Sequence, residues 1–92
     1  MQKGIHNIKK ITRHFPTSSG VYKMISEQNE ILYIGKAKNL YKRVNSYTNP
    51  NKLNNRLKKM ISLICKVEFI TTEDERKALL LEASLIKEIK PK

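Results

Sequence analysis

The sequence predicts an α+β fold in which a small three-stranded antiparallel sheet is flanked by helices. Three runs rich in β-branched and aromatic residues are each too short to form a stable sheet without cover. Segments with helically spaced apolar residues lie between and around them, and these can cover the two faces of the sheet. The length of 92 residues allows one core. We therefore expect residues 1–92 to form a single domain.

The first predicted element is a short amphipathic helix. Its apolar residues Ile5, Ile8, Ile11 and Phe15 recur every three to four positions. Pro16 disfavours helical geometry at the residue before it, so the helix should stop there. Residues 17–20, which read Thr-Ser-Ser-Gly, are typical of a turn.

A β-hairpin is predicted next. Residues 21–25 and 31–35 are the first two strand-like runs, and the polar residues 26–30 separate them. A loop centred on Glu27 and Gln28 would place Tyr22 directly opposite Tyr33. Because opposite residues of an antiparallel pair share one face, the two phenol rings should be neighbours.

Two further helices, a strand and a last helix are predicted to follow. Lys38 and Asn39 open the second helix, and Leu53 to Ile64 carry the apolar stripe of the third, with Lys52, Arg56, Lys58 and Lys59 outside. Residues 66–70 alternate as a third strand. Thr72 and Glu75 have the spacing of a capping box, so the last helix should start there and end before Pro91.

The charge of the chain points to a polyanionic partner. Nineteen Lys and Arg against eight Asp and Glu give a net charge of +11. Nucleic-acid phosphates are the first candidate partner and anionic membranes the second, with a solvated basic face as the alternative. No apolar run is long enough to span a bilayer, and no secretion signal is evident, so we expect a cytoplasmic protein. The single cysteine, Cys65, has apolar neighbours and is expected to be a small core residue.

Glu82 is the least expected residue of the last helix. At about 100° per residue it falls inside the apolar stripe formed by Leu81, Leu85, Ala78, Ile89 and Ile86. An unpaired carboxylate is costly to bury, so it requires a partner. A salt bridge, or a carboxylate that reaches solvent at the edge of the stripe, is one interpretation. Coordination of a metal ion is the other.

A cationic strip is predicted on the second helix. By the same rotation, Lys36, Leu40, Arg43 and Tyr47 fall within about 60° of one another, which makes Arg43 and Tyr47 neighbours. A guanidinium matches phosphate oxygens better than an ammonium does, so this pair suits a phosphate ligand. A surface arginine stacked on Tyr47 is the alternative.

The sequence resembles the GIY-YIG nucleases, and within them the UvrC-type N-terminal domains. The two-part signature is Gly20-Val21-Tyr22 and, eleven residues from tyrosine to tyrosine, Tyr33-Ile34-Gly35, with valine in place of the first isoleucine. The flanking residues 15–19, 36–40 and 79–87 also resemble that branch, in the same order, together with Arg43 and Val44. The resemblance covers residues 15–92.

The resemblance implies a function and a set of site residues. It implies a DNA endonuclease that uses one divalent ion, Mg²⁺ or Mn²⁺, and acts at the 3′ side of a lesion in nucleotide excision repair, on DNA delivered by UvrB. The functional positions of the family fall on Tyr22, Tyr33, Lys36, Arg43, Tyr47 and Glu82. Glu82 would hold the ion, Arg43 would contact the scissile phosphate, and Tyr22, with a pKa lowered by nearby cations, would take a proton from water.

Two departures from the family pattern are visible. Ala83 and Ser84 replace the two asparagines that often follow the glutamate. The sequence stops at Lys92, within an Arg-Pro-Lys-Tyr-Asn-like closing motif, so we expect a domain excised from a longer protein, and one that is monomeric in isolation. Three alternatives stay open: a homing or restriction nuclease of the same superfamily, an inactive nucleic-acid-binding module, and His6 or His14 as the base.

Overall fold

The computed structural model describes residues 2–49, 51 and 53–90, and it has the predicted order of elements. The helices are α1 (Gln2–Thr12), α2 (Leu40–Asn45), α3 (Asn55–Leu63) and α4 (Glu75–Ile89). The strands are β1 (Gly20–Ser26), β2 (Ile31–Ala37) and β3 (Ile64–Thr71). A single 3-10 turn, Ser46–Thr48, follows α2 directly. Within the described residues, no helix is both long and apolar enough to cross a membrane.

The three strands form one antiparallel sheet in the order β2-β1-β3, so β1 is central and β2 is an edge strand. The larger core cluster lies between one face of the sheet and helices α1, α2 and α3, with Ile8, Leu40 and Ile61 fully buried. On the other face, α4 covers β1 and β2 through Ala78. The prediction of a small antiparallel sheet flanked by helices is therefore confirmed.

The predicted register of the hairpin is wrong by two residues. Tyr22 lies opposite Gly35, and Tyr33 lies opposite Met24. The register shifts between Met24 and Ile25, and Asn29 in the loop adopts a left-handed conformation with φ of 64°. A shift of two residues keeps side chains on the same face. The tyrosine rings are therefore still neighbours, with centroids 6.0 Å apart.

Two helix boundaries also differ from the prediction. Lys36 belongs to β2, so it is not part of the predicted cationic strip on α2, and Tyr47 lies in the 3-10 turn. Asp74 caps α4 by accepting a hydrogen bond from the Lys77 amide at 2.8 Å, whereas the Thr72 hydroxyl donates to the Asp74 carbonyl. The predicted capping box is therefore wrong, because Asp74 occupies the cap position.

Cys65 is exposed, not part of the core. The third helix ends one residue before β3 begins, and Cys65 lies on a strand at the edge of the sheet, with Ile64 and Val67 as its inward residues. Some predicted details fall on residues outside the described ranges. These are the side chain of Ile5, Lys52, Pro91 and the closing motif at 91–92.

Candidate active site

The two signature tripeptides meet where the edge strand β2 pairs with the central strand β1. A Cβ atom added at Gly35 would lie 2.5 Å from both Cζ and the hydroxyl oxygen of Tyr22, and 2.8 Å from Cε2 of Tyr33. The ring of Tyr22 thus packs directly over the backbone of β2. Glycine at this position is required by the close approach of two aromatic rings.

Gly20 has a corresponding role at the start of β1. A Cβ atom there would overlap the carbonyl oxygen of Ile70 on β3 and would lie 2.7 Å from Cδ1 of Leu40. Leu40 is itself held at the start of α2, where its amide donates to the Ser18 carbonyl at 3.0 Å. Asn39 caps the helix by accepting from the Lys42 amide. The glycine therefore allows α2, which carries Arg43, to pack closely against the sheet.

Three functional positions form a cluster, which we call the tyrosine cluster: the buried Tyr22 and Tyr47 and the exposed Arg43. The hydroxyls of Tyr22 and Tyr47 are hydrogen-bonded at 2.8 Å, and the Arg43 Nε donates to the Tyr22 hydroxyl at 3.3 Å. The guanidinium lies 5.6 Å from the centroid of the Tyr47 ring. The predicted proximity of Arg43 and Tyr47 is confirmed, and the arginine is oriented from two sides.

Burial raises the pKa of both tyrosines in the tyrosine cluster. Tyr22 is 0% exposed, and burial, followed by the neighbouring Tyr47, raises its pKa far above the ordinary value for a phenol, although Arg43 acts in the opposite direction. Burial also raises the pKa of Tyr47. The hydrogen bond to Tyr22 raises the pKa of Arg43, which stays charged. The expectation that nearby cations lower the pKa of Tyr22 is therefore wrong for the protein alone, because desolvation outweighs them.

An open groove of about 950 Å³ runs beside the edge strand β2, between α2 and α4. Arg43 belongs to the tyrosine cluster and also lines this groove. Four of its lining residues are cationic and two are acidic. The charged lining residues are Lys36, Lys38, Lys42, Arg43, Glu75 and Glu82. A groove with this excess of positive charge suits a phosphate-bearing ligand.

Glu82 borders the groove as a partly buried carboxylate. No described residue forms a hydrogen bond or an ion pair with it. Lys36 of the groove pairs with Glu75 instead, at 3.9 Å. The interpretation of Glu82 as half of a structural salt bridge is therefore not realised in this structure.

The carboxylate of Glu82 has the donor chemistry for a hard divalent cation. No group of three His, Cys, Asp or Glu residues that could enclose a metal occurs within residues 2–49, 51 and 53–90. An ion at Glu82 would thus keep water and phosphate oxygens as its other ligands. Mg²⁺ is commonly bound in this way, by one or two carboxylates together with waters and substrate phosphates.

The six predicted site residues separate into two groups. Tyr33, Lys36, Arg43 and Glu82 line the groove, whereas Tyr22 and Tyr47 lie behind it. A smaller cavity of about 320 Å³, bordered by Tyr33, Arg43 and Tyr47, connects the two groups. His14 lies in a separate cavity beside Cys65, and His6 is exposed on α1, so neither histidine lies at the groove.

Sequence reasoning missed Glu75 as a residue of the groove. Glu75 and Glu82 are seven residues apart, which is about two helical turns, so both carboxylates face the same side of α4. That spacing was the available signal. From the sequence alone, Glu75 is interpreted only as part of a capping box with Thr72.

Comparisons with known proteins agree with this geometry. The family model of the UvrC-like GIY-YIG domain matches residues 18–92. UvrABC system protein C from Hyphomonas neptunium is 47% identical over 90 residues, which are 98% of this chain and 15% of that protein. The protein of the same name from Bartonella henselae is 46% identical over 90 residues, 98% of this chain and 14% of its own length. The chain thus spans about 15% of the length of these curated relatives.

A solved structure covers nearly the whole domain. The GIY-YIG N-terminal endonuclease domain of UvrC from Thermotoga maritima, bound to its catalytic divalent cation magnesium, superimposes with a TM-score of 0.81 at 36% identity, over 91% of each chain. The paired tripeptides, the order of the strands and these matches lead to one conclusion: this chain belongs to the family of UvrC-like GIY-YIG domains.

Proposed function

We propose that this chain is a metal-dependent DNA endonuclease domain that hydrolyses one phosphodiester bond, as the 3′-incision domain of a UvrC-type protein. The observation that carries the proposal is the carboxylate of Glu82, which has no ion pair or hydrogen bond with the described residues although four cations line the same groove. A helix carboxylate without a partner is explained by a ligand that arrives later. The magnesium-bound relative at 36% identity supports a divalent ion, Mg²⁺ or Mn²⁺, as that ligand.

Arg43 and Lys36 are proposed to bind the phosphate. The hydrogen bond from Arg43 to Tyr22 uses Nε, so the two terminal nitrogens of the guanidinium are available to the non-bridging oxygens. Lys36 is partly exposed and loosely paired with Glu75 at 3.9 Å, so a phosphate can replace that carboxylate as its partner. An ion held by Glu82 would supply further neutralisation of phosphate charge and stabilise the leaving oxygen.

Tyr33, not Tyr22, is proposed as the phenol that contacts the attacking water. A general base must come within hydrogen-bond reach of the proton that it removes. Tyr33 borders the groove, whereas Tyr22 has no exposed surface and a raised pKa. Tyr22 and Tyr47 are then positioning residues. They hold Arg43 at its Nε and beneath its guanidinium face.

The wider context is proposed from the curated relatives. They are UvrABC system proteins several times longer than this chain, so we infer that the domain works within a longer cytoplasmic protein of nucleotide excision repair. UvrB is the proposed partner that delivers damaged DNA, and the domain itself is proposed to be monomeric. The rival interpretation as an inactive nucleic-acid-binding module gives Glu82 no ligand and treats it as a carboxylate that reaches solvent at the groove.

Glu82→Gln tests the proposal, with Glu88→Gln as the matched control on the exposed side of α4. Supercoiled plasmid should be nicked by the wild type and by the control in Mg²⁺ or Mn²⁺, and nicking by Glu82→Gln should be undetectable. Because Glu82 has no ion pair with the described residues, the free energy of unfolding of Glu82→Gln without metal should stay within about 0.5 kcal/mol of the wild type. Added Mn²⁺ should raise the Tm of the wild type and the control only, since a ligand stabilises the fold that binds it.

Three results would contradict the proposal. If Glu82→Gln still nicks plasmid in Mn²⁺, the metal-ligand role of this carboxylate is wrong. A loss of about 3–5 kcal/mol in the metal-free mutant would indicate a buried salt bridge instead. If the wild type binds DNA but never nicks it with any divalent ion, the chain is a binding module.

A further inference from the structure

A second cavity lies on the other side of Tyr33 from the groove, and it differs from the groove in chemistry. It has a volume of about 610 Å³, within the range of about 300–1,000 Å³ typical of small-ligand sites. Leu32 of β2 and Leu57, Met60 and Leu63 of α3 form its apolar walls. We call this cavity the apolar pocket.

The walls of the apolar pocket are partly fixed and partly open to solvent. Leu32, Leu57 and Met60 also pack against the main core, so the floor of the pocket is anchored to the fold. Leu63 is 51% exposed at the last position of α3. An apolar side chain so exposed beside other apolar residues is typical of a binding surface.

The rim of the apolar pocket is cationic. Arg56 and Lys59, both on α3, border it together with Asn54. No acidic side chain borders it among the residues that the structure describes. The ligand should therefore combine an apolar group with a negative charge close to it.

The apolar pocket and the groove adjoin at Tyr33. Tyr33 borders the groove, the small cavity next to Arg43 and the apolar pocket. Leu57 borders the small cavity and the apolar pocket. A chain that places one phosphate at Arg43 can therefore place its neighbouring group against the ring of Tyr33.

We propose that the apolar pocket receives one unstacked base of the DNA strand, from a nucleotide next to the scissile phosphate. This inference rests on the proposed function. Intact duplex presents phosphates and sugars at its surface, and its bases are stacked, so the apolar walls match a base only after it has left the stack. Unstacking costs least where the strand is damaged, mismatched or single. The pocket would thus favour distorted DNA, with Arg56 and Lys59 on the flanking phosphates.

Two oligonucleotides of equal charge test this inference. One is a short single strand of ordinary nucleotides, and the other has the same length with every base replaced by an abasic analogue. Fluorescence anisotropy at one salt concentration should show wild-type protein binding the base-containing strand at least about fivefold more tightly, the lower end of what stacking one base contributes. In Leu63→Gln this preference should fall toward one, while the affinity for the abasic strand stays unchanged.

Leu80→Gln is the matched control, because Leu80 is 63% exposed on α4 and does not border the pocket. It should keep the wild-type preference. Equal affinity of the wild-type protein for both strands would overturn the inference and leave the proposed nuclease function intact. Binding to neither strand would count against the proposed function itself. The wild-type protein could instead self-associate and show no preference for bases. If Leu63→Gln abolishes that self-association, the surface binds a second copy of the chain and the inference is overturned.

Discussion

The tyrosine cluster and the groove differ in how completely their polar groups are satisfied. In the cluster, the hydroxyls of Tyr22 and Tyr47 bond each other, and Arg43 donates to one of them. In the groove, Lys36 has a distant, half-exposed partner, and Glu82 has no ion pair or hydrogen bond with the described residues. One region is complete without a ligand. The other has charges that a ligand would satisfy.

This difference shows how a small domain can position one charge accurately. Arg43 belongs to both regions: its Nε donates to the buried Tyr22 hydroxyl, and its guanidinium borders the groove. Among the described residues, no buried side-chain nitrogen or oxygen lacks a hydrogen-bond partner. The cluster can thus act as a rigid support that limits the movement of Arg43 when phosphate binds.

The largest expected effect separates the two phenols. Tyr33→Phe should slow plasmid nicking by about 10²–10⁴, the usual range for a lost general base, because Tyr33 borders the groove. Tyr22→Phe should slow it by only about tenfold, since it removes one hydrogen bond to Arg43 worth about 1.4 kcal/mol. Single-turnover nicking rates in Mn²⁺ compare the two variants. If Tyr22→Phe slows nicking more than Tyr33→Phe does, the general base is Tyr22.

The next effect tests the link between the regions. Arg43→Ala should lower the nicking rate by about 10²–10³, as the loss of one donor to a developing charge commonly does. Its DNA affinity should change by less than about fivefold, because one phosphate contact contributes little. Arg13→Ala, at an exposed position after α1, is the control for affinity. Equal losses of affinity and rate in Arg43→Ala would argue against a transition-state role.

A third change acts on packing of the cluster. Gly35→Ala places a methyl group 2.5 Å from the ring end of Tyr22, which is fully buried and cannot move away freely. We expect a loss of about 1–3 kcal/mol, the usual cost of overpacking a core. For a domain of this size each kcal/mol lowers the Tm by about 4–8 °C. An unchanged Tm in thermal melting would show that β2 and Tyr22 are less tightly packed than described.

The smallest expected effect is a loss of stability at alkaline pH. Because the folded protein keeps the Tyr22 proton to a higher pH than the unfolded chain does, stability is lost as the pH rises above about 10. Half a unit above that pH, Tyr22 should contribute less than about 1 kcal/mol to the loss. Guanidinium unfolding of the wild type and Tyr22→Phe, each at about pH 10 and at half a unit above it, isolates this contribution. Identical pH dependence would contradict the raised pKa.

Local patterns were sufficient to predict much of this protein. The order of elements follows from periodicity, and the proximity of Arg43 and Tyr47 follows from their spacing of four residues. Tyr22 and Tyr33 share one face of the sheet for any register error of an even number of residues. The error of two residues therefore left that prediction correct. These features depend on neighbours in the sequence, and the sequence alone determined them.

Other features depend on contacts between distant segments, and only the tertiary structure decided them. The pKa of Tyr22 rises because α2 and the turn that holds Tyr47 exclude water from the Tyr22 hydroxyl. Tyr47 is 25 residues from Tyr22 along the chain. Cys65 is exposed because β3 lies at the edge of the sheet, and Glu75 joins the groove because α4 packs beside β2. Burial and electrostatic environment are properties of the assembled layers, so the residues that could carry the site were readable in the sequence, while their exposure and protonation were not.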